Sequence, residues 1–268
     1  MTKSLPPSAF AAVGGNLYRA SPLTRGPWHP EHQHGGPPIA LVCRAIESAA
    51  LELGLTHLSR LTANLLRPVP IGELTIAVAT DYAGRNAGHF SAQLMAGSKE
   101  VARFTALALR ESRLTLPDDL PGHPAPVAPR SPDESPPATF PFAGEHVGYA
   151  DLVETRVASG HFFKGPCAIW FRLRQPLLEG ETPGAYQRVA VAADSGNGIS
   201  AVLDFSKYVF VNSDLTINLL RRPRGEWICV QARSHLGPDA CGLAVSELFD
   251  SDGLIGVATQ SLSIRLRD

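Results

Sequence analysis

The sequence predicts an α+β protein made of two similar halves, each an antiparallel sheet wrapped around one long helix. Three observations carry that prediction. The first is an internal repeat: Leu61-Thr62-Ala63-Asn64-Leu65-Leu66-Arg67 returns 154 positions later as Leu215-Thr216-Ile217-Asn218-Leu219-Leu220-Arg221. A repeat at that distance reads as duplication of a whole domain rather than a solenoid of short units. The second is a dense series of prolines between the copies, from Pro117 to Pro141. Proline at that density sustains neither a helix nor a central strand, so this stretch is an extended linker, expected to run over the surface of the first half. The third is a single change of hydrophobic period within each half, between 3.6 and 2.

In the first half, Gly35-Gly36-Pro37 opens the helix, where proline is tolerated because its missing N–H is an orphan of the first turn anyway. Ile39, Val42, Ala45, Ile46, Ala49, Ala50 and Leu53 then keep helical spacing over 37–53. Four strand-like runs follow, at 58–67, 72–81, 88–97 and 101–111. The second half begins with strands at 151–159 and 167–176, then a helix over about 184–203. Four more strands follow at 207–221, 226–236, 241–250 and 254–266, with Asp252-Gly253 as the hairpin signal between the last two. The second helix carries Ala185, Ala190, Ala192 and Ala193 with Gly196 and Gly198, small residues that admit a sheet close to the helix backbone at some cost in helix propensity. The expected boundaries are 1–111 for the first domain, 112–142 for the linker and 143–268 for the second domain.

A chain of 268 residues can bury the cores of two such domains. Its net charge of -1 argues against a broad footprint for nucleic acid or acidic membranes, so an anionic ligand would need a local basic cluster. No apolar run reaches the roughly 20 residues that span a bilayer, and the first residues lack a signal-peptide pattern. Cys43, Cys167, Cys229 and Cys241 are far apart and fall in apolar or strand-like stretches, where a free Cys serves as a small buried hydrophobe. Together these features predict a cytoplasmic protein without membrane insertion.

Several strings together carry a family resemblance. His34-Gly35-Gly36-Pro37, Arg67-Pro68 and Gly84-Arg85 in the first half resemble the N-terminal half of the acyl-CoA thioesterase II family of double-hotdog proteins. Ala193-Asp194, Arg222-Pro223 and Val257-Ala258-Thr259-Gln260 resemble its C-terminal half, and the likeness runs from about residue 12 to residue 266 without the linker. The resemblance implies a double hotdog that hydrolyses acyl-CoA to free acid and CoA, without a cofactor, as a homodimer. It also implies a water activated by Asp194 on the second helix, by a hydroxyl at Ser213 on the next strand, and by Gln260 on the last. Ser213 follows from counting back from the Arg-Pro pair, and Thr216 is a competing hydroxyl.

The chemistry suits these residue types. A carboxylate accepts a proton from water or holds it in line for attack, and an amide with a hydroxyl fixes its remaining hydrogen bonds. Backbone N–H groups at the start of a hotdog helix would meet the oxyanion. His34, Gly35 and Gly36 are expected to line the acyl entrance, and Arg221 and Arg222, with Arg224 nearby, to meet the phosphates of CoA. At the repeat shift, Gln260 aligns with Ala106, so the first half is expected to have lost its own catalytic set.

Other readings are weaker. His29, His32 and His34 sit on a Pro-flanked loop without the carboxylate or Cys partners a metal site wants. Asp194-Ser195-Gly196 lacks the context of a serine protease, no GxSxG elbow is present, and Gly84–Gly88 reads as a hairpin turn rather than a phosphate loop. A hotdog hydratase or dehydratase pairs its carboxylate with a His, and the sequence around Asp194 has none. A non-catalytic acyl-CoA-binding module would be indicated by Asp194 or Gln260 pointing to solvent.

Overall fold

The computed structural model describes residues 4–115, 127–142, 144 and 146–267. The repeated halves appear as two runs of strands joined edge to edge. In the first half, β1 (Phe10–Gly14) and β2 (Leu17–Ala20) precede helix α1 (Gly36–Glu52), followed by β3 (His57–Leu65), β4 (Glu73–Ala83), β5 (Ala87–Ala96) and β6 (Lys99–Leu109). In the second, β7 (Pro137–Ala138), α2 (Tyr149–Leu152), β8 (Val153–Ser159) and β9 (Cys167–Leu173) precede α3 (Ala185–Ala193) and α4 (Gly196–Ile199). The chain ends with β10 (Tyr208–Asn212), β11 (Asp214–Leu219), β12 (Ile228–Leu236), β13 (Cys241–Asp250) and β14 (Gly253–Leu266). The sheet order is β1-β2-β4-β5-β6-β3-β11-β14-β13-β12-β9-β8-β7, with β10 also paired to β14.

The expected two sheets are therefore one continuous sheet. The seam is the antiparallel pair β3–β11, in which Thr62 stands opposite Thr216, its own counterpart in the repeat. The two hydroxyls hydrogen-bond at 3.2 Å, and Leu61 and Ala63 face Ile217 and Leu215. Each half thus offers the same strand to the other about a local two-fold axis. The repeat also holds in register: Thr62 pairs with Thr105 as Thr216 pairs with Thr259, and Phe90 pairs with Ala106 as Ala244 pairs with Gln260.

The second helix is shorter than expected, ending at Ala193 before the four-residue α4. A continuous helix would bond the Asn197 N–H to the Ala193 carbonyl. Instead that N–H donates to Gln260 Oε1 at 2.8 Å, while Gln260 Nε2 donates to the Asp194 carbonyl at 3.1 Å. The Gln260 amide is inserted into the helical ladder, which breaks the helix there. The long strand expected at 207–221 is likewise split at Ser213, whose N–H bonds to the Ser261 carbonyl and whose carbonyl accepts from Leu65. The early hairpin β1–β2 escaped the periodicity reading although Gly14 and Gly15, both at positive φ, mark its turn.

Pro117, Pro121, Pro124 and Pro126 of the linker lie outside the described residues. Its later part runs along the second half, not the first. Trp170 Nε1 donates to the Arg130 carbonyl, Arg156 to that of Pro132, and β7 pairs with β8. One apolar core spans both halves, from Phe10 and Ile39 to Val189, Ile217 and Ala258, with α1 packed on α3 at its centre. Cys43, Cys167 and Cys229 are buried as expected, whereas Cys241 is exposed near the β12–β13 turn. Among the described residues no helix is long and apolar enough to cross a membrane.

Candidate active site

The site begins with the way α1 meets α3. The N-terminal turn of α1 presses on the C-terminal end of α3 so closely that neither Gly35 nor Gly36 has room for a side chain. A Cβ on Gly36 would stand 2.6 Å from the Val191 carbonyl oxygen, and one on Gly35 would stand 2.8 Å from Asp194 Oδ2. The glycine pair is thus required for close approach, and it delivers the positive end of α1 to a carboxylate from the other half.

Asp194, at the end of α3, is 7% exposed and surrounded by donors. Its Oδ1 accepts from Asn212 Nδ2 at 2.9 Å and lies 3.5 Å from Gln260 Nε2. Its Oδ2 lies 3.0 Å from His34 Nδ1. The Gly36 N–H is 3.1 Å from that same Nδ1 and also reaches the carboxylate. A carboxylate oxygen and a ring nitrogen at 3.0 Å need a proton between them, so we assign the Nδ1–H tautomer to His34 and the Gly36 N–H to Asp194. Burial pushes the Asp194 carboxyl up, but the charge and hydrogen bond of His34, then Asn212 and the Gly36 N–H, outweigh it and hold the group below its ordinary value.

His34 is held from its other side by Tyr149 of α2, whose ring stacks on the imidazole with centroids 3.8 Å apart and planes 3° from parallel. The Tyr149 hydroxyl donates to the Val191 carbonyl at 2.9 Å and lies 3.0 Å from Ser195 Oγ. His34 Nε2 has no protein partner among the described residues, and the residue borders the cavity beside Asp194.

That cavity has a volume of about 300 Å³. His34, Gly35, Asp194, Asn212 and Ser213 lie on its wall, with Arg67 exposed at its rim. Gln260 is 1% exposed and does not line it; its amide stands behind Asp194 and fixes where α3 ends. Two buried amide oxygens without a partner, Gln33 Oε1 and Asn197 Oδ1, belong to cavity-lining residues. The Asn197 assignment is fixed because Nδ2 donates to the Phe210 carbonyl at 3.1 Å, which leaves Oδ1 as the orphan acceptor.

Of the residues expected at the site, the structure thus gathers Asp194, Gln260, His34, Gly35 and Gly36, and sets Ser213 on the same wall. Thr216 is instead spent on the seam. Arg221 and Arg222 do not line the cavity. Arg221 is held bidentately by buried Asp250, at 2.6 Å to each oxygen, and Arg222 lies over the Tyr186 ring and 3.8 Å from Glu47. Both are committed to neighbours inside the chain, and Arg221 and Arg224 meet at Asp250 rather than on the cavity wall. Sequence reasoning missed Asn212 as a partner of Asp194 and Tyr149 as the support of His34. Neither lies in a motif, although Asn212 adjoins Ser213. Among the described residues no three His, Cys, Asp or Glu side chains converge on a metal-sized site.

Comparison with known proteins follows this geometry. Residues 24–110 match the model of an acyl-CoA thioesterase N-terminal domain, and residues 121–264 that of an acyl-CoA thioesterase C-terminal domain. Among solved structures, a candidate thioesterase II from Thermobifida fusca YX superposes with a TM-score of 0.73 at 17% identity, over 97% of this chain and 96% of that one. A protein of unknown function with a hot dog fold from Alicyclobacillus acidocaldarius gives 0.71 at 17%, over 98% and 97%. The acyl-CoA thioesterase II TesB2 from Mycobacterium marinum gives 0.63 at 16%, over 97% and 96%. At such identities these structures speak for the hotdog fold alone. A search of curated proteins returned no match. The two domain matches, in order and together spanning both halves of the repeat, make the chain a member of the acyl-CoA thioesterase family and, in its class of activity, an acyl-CoA thioester hydrolase.

Proposed function

We propose that the protein hydrolyses acyl-CoA by direct attack of water activated at the Asp194–His34 pair. The observation that carries this reading is the 3.0 Å contact between a buried carboxylate and the Nδ1 of a histidine that lines the cavity. A carboxylate with this many donors is a weak proton acceptor. Its contribution is to hold His34 in the Nδ1–H tautomer and to stabilise the imidazolium that forms when Nε2 takes a proton from water. This moves the base from Asp194, where sequence alone put it, to His34. The water oxygen adds to the acyl carbon, the C–S bond breaks, and the departing thiolate takes the proton back from His34. Ser213 on the cavity wall supplies a hydroxyl for the attacking water, and Gln260 acts through Asp194 as a positioning residue. The first turn of α1 has few donors for the oxyanion, since the Gly36 N–H is taken by Asp194, Pro37 and Pro38 have none, and the Ile39 N–H bonds the Gly35 carbonyl. The Gly35 N–H at the N-cap is the backbone donor left to meet it.

The carrier fits the rim. Arg67, rather than Arg221 or Arg222, is the guanidinium beside the cavity and suits a CoA phosphate. The first half has buried Ala106 where the second has Gln260, which supports a single working site. A cytoplasmic setting and a homodimer belong to the same proposal, the former supported by the four free cysteines. The test is free-thiol release from acyl-CoAs by the wild type, Asp194→Asn and His34→Gln. We expect wild-type turnover and a loss of about 10²–10⁴-fold in each variant. Wild-type rates in either variant would remove the pair from the mechanism.

The His34–Asp194 pair also favours a second reading, because a hotdog hydratase pairs its carboxylate with a His and the fold brings His34 to Asp194 from 160 positions away. Hydration of an enoyl-CoA without thiol release would select it. The binding-module reading has less support, since neither Asp194 nor Gln260 points to solvent.

A further inference from the structure

We propose that the acyl pocket of this enzyme is built for an aryl group, so that the preferred substrates are CoA thioesters of arylalkanoic or similar ring-bearing acids rather than of saturated straight-chain acids. The proposal rests on the thioesterase reading and names the substrate class of the same site. Six aromatic side chains line the cavity: Trp28, Phe140, Phe142, Phe162, Phe163 and Phe205. They come from four separate places in the chain, namely the loop before α1, the end of the linker, the β8–β9 turn and the segment between α4 and β10. Rings from such distant segments converge only if the fold brings them together.

Their geometry is that of an aromatic cluster with open faces. Phe163 and Phe205 meet at 4.6 Å, Phe142 and Phe205 at 5.0 Å, and Phe140 and Phe162 at 5.8 Å, each nearer perpendicular than parallel. Trp28 adds a tilted contact to Phe205 at 5.6 Å. Phe162, Phe163 and Phe205 are half-buried and Phe142 is 51% exposed, so ring surface remains for a ligand. Only three non-glycine residues among those described have positive φ, and two of them are cavity rings, Phe142 at 69° and Phe163 at 60°. A left-handed backbone is strained for a side chain of this kind, and such outliers gather at ligand sites where the surroundings enforce them. The strain here aims two rings into the cavity.

The energetics separate an aryl from an alkyl occupant. Both gain from apolar burial, but an aromatic ring set edge to face against a neighbour gains about 0.5–1.5 kcal/mol more for each pair. Two such pairs discriminate by roughly tenfold or more. The volume of about 300 Å³ falls at the small end of ligand pockets and suits a compact acyl group.

The experiment compares kcat/KM for phenylacetyl-, cyclohexylacetyl- and octanoyl-CoA, three acyl groups of eight carbons. The wild type should prefer phenylacetyl over each of the others by about tenfold, and Phe205→Leu should lower that ratio about tenfold. Phe142→Gly, which frees the left-handed backbone and so protects against misfolding as an explanation, should lower it as well. Equal rates for phenylacetyl and cyclohexylacetyl would mean that width and not aromaticity is read, and would overturn the proposal; so would preference for octanoyl, or a Phe205→Leu ratio equal to wild type. If no thioester turns over, binding of the 2-phenylethyl and octyl thioethers of CoA decides the matter. Tighter phenylethyl binding upholds the aryl pocket while the thioesterase reading falls, and octyl binding as tight or tighter overturns the aryl pocket itself.

Discussion

Asp194 shows how much one buried carboxylate can organise. It receives hydrogen bonds from His34, Asn212 and the Gly36 N–H, which tie α3, β10 and the first turn of α1 to one point. Its carboxyl is held below the unfolded value of about 3.9. A group depressed on folding contributes stability that is fully present above its unfolded pKa and is lost as pH falls through its folded pKa. We therefore expect the melting temperature to fall below about pH 4 and Asp194→Asn to flatten that part of the profile; an unchanged acid limb in the variant would mean that other carboxylates govern it. The hydroxyl question divides similarly. Ser213 is exposed on the cavity wall, whereas the Thr216 hydroxyl is bonded to Thr62. Ser213→Ala should lower kcat by about tenfold or more, and Thr216→Val should instead cost about 1 kcal/mol of stability; steady-state rates and urea melts on both variants read the difference. At this scale Gln260 was legible through the resemblance carried by Val257-Ala258-Thr259-Gln260, and its burial in phase with Ala258 and Leu262 came from the fold. The partners of Asp194 were not. His34 is 160 positions away, and no local spacing announces a contact that two packed helices create.

The helices and strands owe their unexpected boundaries to the same polar groups. The alanine-rich pattern of the second helix continues past Asp194, and on propensity it reads as one element. Tertiary contact overrides this, since the Gln260 amide supplies a donor to the Asp194 carbonyl and an acceptor to the Asn197 N–H. Gly196 is part of the same arrangement, as a Cβ there would stand 2.6 Å from Ser246 Oγ and 3.1 Å from Gln260 Oε1. Replacing Gln260 by Ala leaves two buried backbone groups without partners, at about 1–3 kcal/mol each. We expect Gln260→Ala to lose about 2–4 kcal/mol in denaturant unfolding and also to reduce turnover, because the end of α3 that carries Asp194 is released. Gln260→Glu keeps the acceptor and loses the donor, so intermediate stability with low turnover would mark a positioning role; full turnover in either variant would contradict it. The strands at 101–111 and 241–250 were read nearly correctly because an alternating buried face is a local signal. The break at Ser213 has no such signal, as it follows from Asn212 turning toward Asp194.

For the whole molecule, duplication was legible and its consequence was not. The repeat announces two like units, but only the fold reveals that the repeated strand is itself the seam, with Thr62 against Thr216. The seam turns two sheets into one and lets α1 and α3 share a single core. It also assembles the site, since His34 comes from the first half and Asp194 from the second. The first residues reinforce the union, with the Phe10 N–H bonded to the Leu177 carbonyl across the halves. At the far ends the sheet is blunted: β7 has only two residues and begins with Pro137, a weak template for another strand. A fragment of residues 1–111 would expose the whole length of β3 and the face of α1 that packs on α3, an edge and an apolar surface that favour association. We expect this fragment alone to aggregate or to self-associate through β3, and co-expression with residues 112–268 to restore a soluble complex with thiol-releasing activity. Size-exclusion chromatography and thermal melts of each half and of the mixture give the answer. A monomeric first half that melts cooperatively on its own would mean that the seam adds little, and that the shared core is two cores in contact.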